Sequence, residues 1–479
     1  MESIINPPDR VRHIMQTLRQ KGHEAYAVGG CVRDALSGKT PEDWDIATSA
    51  LPEMVKELFP KTADTGLKHG TVTVLLDGEA FEVTTFRIDG RYEDRRHPER
   101  VEFTGRLEDD LSRRDFTVNS MAWSEKSGLI DPFGGREDLT AKRIRAVGYP
   151  NERFNEDALR MLRAVRFAAR LGFDIDEQTL EGISANRALI VNISSERIRE
   201  ELNGILTAAY PMKFRLLRDT GLLKLIMPEI DALFDTAQNN PHHIYNVGDH
   251  SLHAVAAIEN DKCLRWAMLL HDAGKAVTKT TDEDGIDHFY GHPARSVGIS
   301  EALLKRLKFD NRSMERILRL IRFHDREILL RPKAVVKAVY AVGDDIFMDL
   351  LKVKMADMAA QNPSKLQKGI EYILGIERIY TQLKEEHYCF SLKDLAVDGN
   401  DLIAMGFREG KEIGKTLTFL FEKVLEEPAL NEKEKLKELA AHKSILDKLD
   451  DSCGIWKDRD DTIDSDASVS DIRNRGLEK

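Results

Sequence analysis

The chain has 479 residues, 42% hydrophobic and 32% charged, with a formal net charge of −11. That length exceeds one ordinary core, so several domains are expected, and the composition excludes a disordered chain. No apolar run approaches the roughly 20 residues of a membrane-spanning helix, MESIINPPDR lacks an apolar signal core, and the acidic balance disfavours indiscriminate binding along a phosphate backbone.

A cytoplasmic protein is expected, with any nucleic-acid contact made by local basic patches. Cys31, Cys263, Cys389 and Cys453 are scattered and form no CxxC pair, so neither a disulfide framework nor a zinc ribbon is indicated.

Residues 23–86 read as short strands and turns, HEAYAVGG, DWDIATS, TVTVLL and EAFEVTTF, with Asp77-Gly78 as a hairpin turn between the last two. The first unit is therefore mixed α/β. In Gly29-Gly30-Cys31-Val32-Arg33-Asp34, between a strand and a helix, Gly30 lets backbone N–H groups approach a triphosphate and Arg33 can neutralise it. Taken alone, the segment reads better as a plain strand-to-helix turn.

Asp43 and Asp45 are two apart in DWDI, so on an extended strand both carboxylates point to one face and can meet one hard cation. Leaving them unpaired at a core would be costly, which favours magnesium. Glu82, on a neighbouring strand, is either a third carboxylate or a structural partner for an arginine. Three such carboxylates suit a two-metal transfer, one ion activating a 3′-hydroxyl and the other holding a triphosphate. RIDGRYEDRRHPERVE, between Phe86 and Phe103, reads as a charged, mobile loop.

From about Glu152 to about 448 the spacing of apolar residues is helical, as in ALRMLRAVRFAARLGF. Asn155 is expected to cap a helix that carries Asp157 and Arg160 on one face, an acceptor and a fork of donors for the Watson–Crick edge of a base. Arg160, Arg163, Arg166 and Arg170 form an arc opposite Met161, Leu162, Val165 and Ala168; a solvated charged face is the usual explanation of such a stripe, but with no balancing acid in sight the arc better suits phosphate or a nucleic-acid backbone. His250, His271-Asp272-Ala273-Gly274-Lys275, His292, His324 and Asp357 offer mixed N/O ligands for a divalent transition metal, which could activate water against a phosphate ester. His243, His253 and His288 are left as bystanders. From about Asp450 the chain is poor in apolar residues and reads as a disordered tail.

GGCVRD, DWD, EVTTFR, RRDFTVN from Arg113 to Asn119, and EDALR from Glu156 to Arg160, in that order, resemble the class II CCA-adding tRNA nucleotidyltransferases, relatives of bacterial poly(A) polymerases. The resemblance spans about residues 6–448. It implies that Asp43 and Asp45 bind Mg2+, that Arg114 and Asp115 contact the phosphates and ribose of the incoming nucleotide, and that Asp157, Arg160, Arg163 and Arg166 contact ATP or CTP. The loop after Phe86 favours addition of all of CCA. The histidine run resembles the HD phosphohydrolase superfamily, which implies a site for Mn, Ni or Co acting on small phosphate esters or 2′,3′-cyclic phosphates.

The implied fold is multidomain α+β. A nucleotidyltransferase head of the DNA polymerase beta type (6–145) precedes an all-α neck and body, with the neck and nucleotide- and tRNA-binding region at 146–238, an HD module (239–363), a tRNA-binding tail (364–449) and the disordered segment 450–479. The implied partners are tRNA, ATP and CTP, with no membrane, and a homodimer is compatible with the reading. Rival readings are a CC-adding, A-adding or poly(A) polymerase relative, or a signalling enzyme pairing the same two modules.

Overall fold

A computed structural model describes residues 5–89, 101–241 and 243–453. The tip of the charged loop (90–100) and the segment 454–479 lie outside the described residues, and with them the mobility and disorder expected there. The chain divides into two compact units. The first comprises residues up to 235 with 259–265 and 302–310, and the second comprises 236–258, 266–301 and the chain from 311 on. The architecture is α+β, one mixed sheet followed by a mostly helical remainder.

In the first unit the strands are β1 (Ala25–Val28), β2 (Ile46–Thr48), β3 (Thr62–Gly66), β4 (Thr71–Leu76), β5 (Glu79–Thr85), β6 (Arg87–Asp89), β7 (Val101–Phe103), β8 (Ala122–Ser124) and β9 (Gly128–Ile130). Seven of them form one sheet in the order β3-β4-β5-β2-β1-β8-β9, and among the described pairings of this sheet only β2 with β5 is parallel. The β4–β5 turn has positive φ at both Asp77 (50°) and Gly78 (83°), the geometry that matches strand twist in a two-residue hairpin. Alternation along the strands gives the sheet two apolar faces. Ala25, Ala27, Ile46 and Val83 pack with Val11, Ile14 and Leu18 of the helix Asp9–Gln20. Val28, Ala47 and Ala122 pack with Phe86, Leu107 and Leu111.

Two expectations need correction. The segment after Phe86 is not all loop, since β6 and β7 pair antiparallel with Arg87 opposite Phe103. The last helix, Lys433–Cys453, also runs past the expected boundary at 450. No helix among the described residues is long and apolar enough to cross a membrane.

The helices Val247–Ala257, His292–Arg306, Asn311–Phe323 and Phe347–Ala359 carry or directly precede the histidines and Asp357 singled out above, all of which fall in the second unit, and His271-Asp272 follows the helix Lys262–Leu270.

Candidate active site and histidine centre

A cavity of about 910 Å³ opens beside the sheet of the first unit. Its walls come from the β1–helix turn (Gly29, Gly30, Arg33), the segment leading into β2 (Asp43, Asp45), the Arg113–Asn119 segment, and the Asp157–Arg170 region with Arg197. Nine arginines and Lys39 line it against six acids, so a chain of net charge −11 presents a locally cationic chamber.

The aspartates stand just ahead of β2, which begins at Ile46 rather than at Asp43 as the sequence suggested. Backbone pairing nevertheless continues past the strand, because the Asp45 carbonyl accepts from the Val28 N–H at 3.0 Å. Burial and the neighbouring Asp43 push the Asp45 carboxyl up to about 6, Glu82 adding to them and Arg114 opposing. Carboxylates crowded this way are stabilised by a hard divalent cation, so the donor set fits magnesium. Glu82 lies in β5, where the parallel register Ile46↔Val83 makes it the neighbour of Asp45. It is exposed and stands outside the residues that line the cavity.

Gly29 caps the following helix with φ 77° and ψ −127°, a backbone conformation that L side chains rarely adopt and that favours glycine, and Arg114 Nη1 lies 2.9 Å from where a Cβ would stand. Arg33 is buried, donating from Nη1 to Asn119 Oδ1 at 2.5 Å and from Nε to Asp34 at 2.8 Å. Asp110 is fully buried between Arg113 (2.6 Å) and Arg114 (3.1 Å). Burial works to raise its carboxyl, but the two guanidinium groups hold it below the usual range.

The helix expected to begin after Asn155 begins later. Pro150–Glu156 ends one helix, Asp157 is extended (φ −139°, ψ 106°), and Leu159–Leu171 is the next. Asp157 and Arg160 therefore do not share a helical face, although both line the cavity. Asp157 Oδ1 accepts from the Leu159 N–H at 3.0 Å. Arg160 is buried and commits Nη1 to Glu156 (2.6 Å) and the Arg153 carbonyl (3.3 Å), and Nη2 to the Arg113 carbonyl (2.9 Å).

The arginine arc is not without acids either. Arg163 pairs with Asp115 at 2.6 Å, Arg166 with Glu201 at 2.6 Å, and Arg160 with Glu156. Two of these acids come from distant segments, which is why local spacing hid them. Against the effect of burial, Arg163 holds the Asp115 carboxyl low. Phe167 sits among Arg33, Arg163 and Arg166, its centroid 5.8, 5.5 and 4.8 Å from their guanidinium carbons. Sequence reasoning missed Asn119 as a lining residue, although it closes the RRDFTVN motif, and missed Arg197, which has no short-range spacing signal.

In the second unit, His250, His271 and Asp272 form one potential metal-ligand group, and Asp272, His292 and His324 form another. Asp357 Oδ1 joins the first, 2.9 Å from His250 Nε2 and 3.7 Å from His271 Nε2. Each of the four imidazoles turns Nδ1 to a backbone carbonyl: His250 to Ala360 (3.2 Å), His271 to Met268 (2.7 Å), His292 to Phe289 (2.9 Å) and His324 to Ile321 (2.7 Å). A carbonyl only accepts, so Nδ1 carries the hydrogen and every neutral ring aims its Nε2 lone pair inward.

There the Nε2 atoms of His250 and His271 stand 3.3 Å apart, as do those of His292 and His324. Facing lone pairs beside carboxylates are stable only around positive charge. Asp272 Oδ2 is buried without a well-aligned donor, although Lys275 Nζ stands 2.8 Å and His271 Nε2 3.1 Å away. These groups fit a divalent transition metal. The local potential is strongly negative: burial opposes it, yet Asp272 and Asp357 push His271 up to about 10.

His243, set aside from the sequence, packs edge-on against His250 at 4.9 Å, and burial and Lys275 press it down to about 3. His288 pairs with Asp282 at 2.8 Å and His253 stacks on Tyr245, both apart from the metal-ligand groups.

Three family descriptions match the chain: "Poly A polymerase head domain" over residues 25–145, "Probable RNA and SrmB- binding site of polymerase A" over 172–234, and "tRNA nucleotidyltransferase domain 2" over 296–440. The CCA-adding enzyme of Geobacillus kaustophilus (strain HTA426) is 52% identical over 220 residues, 46% of this chain and 54% of that protein. The CCA-adding enzyme of Lactobacillus helveticus (strain DPC 4571) is 35% identical over 416 residues, 86% of this chain and 91% of that protein. A crystal structure of the Bacillus stearothermophilus CCA-adding enzyme in complex with CTP matches with a TM-score of 0.70 at 32% identity, covering 93% of this chain and 100% of that one. Sequence relationship over most of both chains and likeness of fold agree, and this chain belongs to the CCA-adding enzyme family, whose members are nucleotidyltransferases.

Proposed function

We propose that this protein adds C, C and A to the 3′ end of tRNA from CTP and ATP, with protein side chains in place of a nucleic-acid template. The observation that carries the reading is one cavity that gathers the Asp43–Asp45 pair, a cationic wall, and both Asp157 and Arg160. Magnesium held by Asp43 and Asp45, with Glu82 adjoining, would activate the 3′-hydroxyl and neutralise the departing pyrophosphate. Gly30, Arg33, Arg114 and Asp115 would seat the triphosphate and ribose, and Arg163 and Arg166 would extend that wall.

Cytosine N4 and adenine N6 are amino donors, whereas uracil O4 and guanine O6 are acceptors. Set against the 4-position of a pyrimidine or the 6-position of a purine, the Asp157 carboxylate would attract the correct bases and repel the other two. Three of the five N–H donors of Arg160 are committed to protein, and the remaining two suit a ring nitrogen or carbonyl of the base. In this reading residues 6–145 are the catalytic head, 146–238 the neck and 364–449 the tRNA-binding tail.

The test is incorporation of labelled CTP and ATP, separately and together, into tRNA ending before CCA, after C and after CC. Orderly addition that stops at CCA supports the reading. Addition of CC alone, A alone or a long A tail would move the protein to a neighbouring activity, and no incorporation would overturn it.

A second activity rests on the four inward-facing imidazoles. Residues 239–363 are read as an HD-type phosphohydrolase that holds Mn, Ni or Co through His250, His271, Asp272, His292, His324 and Asp357. The metal, when bound, would supply an activated water for a phosphate ester or 2′,3′-cyclic phosphate. Inactivity on such substrates with all three metals, or activity unchanged by His271→Ala, would overturn it.

A further inference from the structure

We infer that Arg197 is a specificity-determining positioning residue, which clamps the Asp157 carboxylate so that it discriminates among bases. The inference rests on the proposed role of Asp157 in reading the base. Asp157 lies in an extended break between two helices, so no helical turn packs its side chain into one rotamer. Two donors orient it instead: the Leu159 N–H reaches Oδ1 at 3.0 Å, and Arg197 Nη2 reaches Oδ2 at 3.0 Å. A carboxylate oxygen has two acceptor positions, so each oxygen keeps one for a ligand. Both side chains line the cavity.

Arg197 comes from the helix Ser195–Leu206, 40 residues beyond Asp157 in the chain. That helix is held in register against Leu159–Leu171 by the Glu201–Arg166 pair at 2.6 Å. It is also held by Gly204, where a Cβ would come 2.5 Å from Arg166 Cδ. The arm that carries Arg197 is thus anchored to the helix that follows Asp157.

The Arg197 and Asp157 side chains are 25% and 18% exposed, so a nucleotide can reach the pair, and an ion pair so placed contributes little to folding. Its effect falls on geometry. Freed of Arg197, the carboxylate can rotate away from the O4 of a bound uracil or the O6 of a bound guanine, and the repulsion that excludes them weakens. Correct and incorrect nucleotides should then lose unequally.

The experiment compares CTP with UTP on tRNA ending before CCA, and ATP with GTP on tRNA ending in CC. It uses the full chain, Arg197→Ala, Arg197→Lys and Asp157→Ala, with melting temperatures as the check on folding. Loss of one charge-assisted hydrogen bond should raise the UTP:CTP and GTP:ATP ratios of kcat/KM about tenfold in Arg197→Ala. Arg197→Lys, which keeps the charge without the planar fork, should recover part of that discrimination. A uniform fall for all four nucleotides would overturn the inference, since it would make Arg197 a general support or a phosphate ligand. Ratios unchanged in Asp157→Ala would instead overturn the base-reading role itself. Should Arg197→Ala fail to fold, Arg197→Lys decides on the same ratios, where unchanged discrimination refutes the need for a fork.

Discussion

Around the cavity beside Asp45, acids and bases are joined side chain to side chain, Asp110 to Arg113 and Arg114 within one local segment, and Asp115 to Arg163 and Glu201 to Arg166 across separate ones. Around Asp272 the bases are imidazoles, each tied through Nδ1 to a backbone carbonyl near it in sequence or at the end of another helix, and their inner nitrogens meet one another and carboxylates. The first arrangement is partly self-neutralised but keeps cations in excess around an open chamber, which suits an anionic ligand. The second concentrates negative potential in a small buried volume that calls for a cation. The difference teaches that carboxylates near basic groups do not define a chemistry; what matters is which valences the protein itself has already satisfied.

The strongest way to break this comparison is to exchange the losses. Asp43→Ala should lower nucleotide incorporation about a thousandfold or more, the scale of metal-assisted charge stabilisation. It should leave the metal content of the second unit unchanged, as read by elemental analysis. Asp272→Ala should do the reverse, weakening transition-metal binding by at least about a hundredfold in titration calorimetry while tRNA extension persists.

Smaller effects sharpen the contrast in valence. Asp110→Asn leaves Arg113 and Arg114 without their shared counter-charge and should cost about 2 kcal/mol at pH 7 by denaturant unfolding. The Asp110 carboxyl is held low in the folded state, so its contribution is present above the unfolded pKa and is lost as pH falls through the folded one. The wild type and the variant should converge in acid.

Asp45 carries the opposite sign. Its carboxyl titrates at about 6 in the fold against 3.8 as the ordinary value, so rising pH between those values favours unfolding, and the penalty is complete above pH 6. Asp45→Asn should therefore stabilise the metal-free protein by about 1–2 kcal/mol at pH 8 and have little effect near pH 4. Millimolar magnesium should erase the advantage by stabilising the wild type alone.

Much of both sites was legible in the chain. The Asp77-Gly78 turn and the β-rich runs beside it specify a hairpin by local backbone preference, and the head forms it. Asp43 and Asp45 stand together because they are near neighbours, and His271 and Asp272 because they are adjacent. Failure came where an inference depended on a partner outside the local window. The arginine arc looked unbalanced because Asp115 and Glu201 come from other elements. Asp157 was placed in a helix because Asn155 resembled a cap, but Pro150 opens an earlier helix that ends at Glu156.

By itself, then, the sequence determined the α/β-then-helical order, the nearness of Asp43 to Asp45 and of His271 to Asp272, and the periodicity that buries Met161, Leu162 and Val165, since all of these depend on backbone preferences and side-chain spacing within a few residues. Only the tertiary structure decided which charges neutralise one another, that all four imidazoles turn Nε2 inward, and that Arg197 holds Asp157. Those outcomes depend on Coulombic and hydrogen-bond partners that act over a few ångströms of space, a distance that sequence separation does not measure.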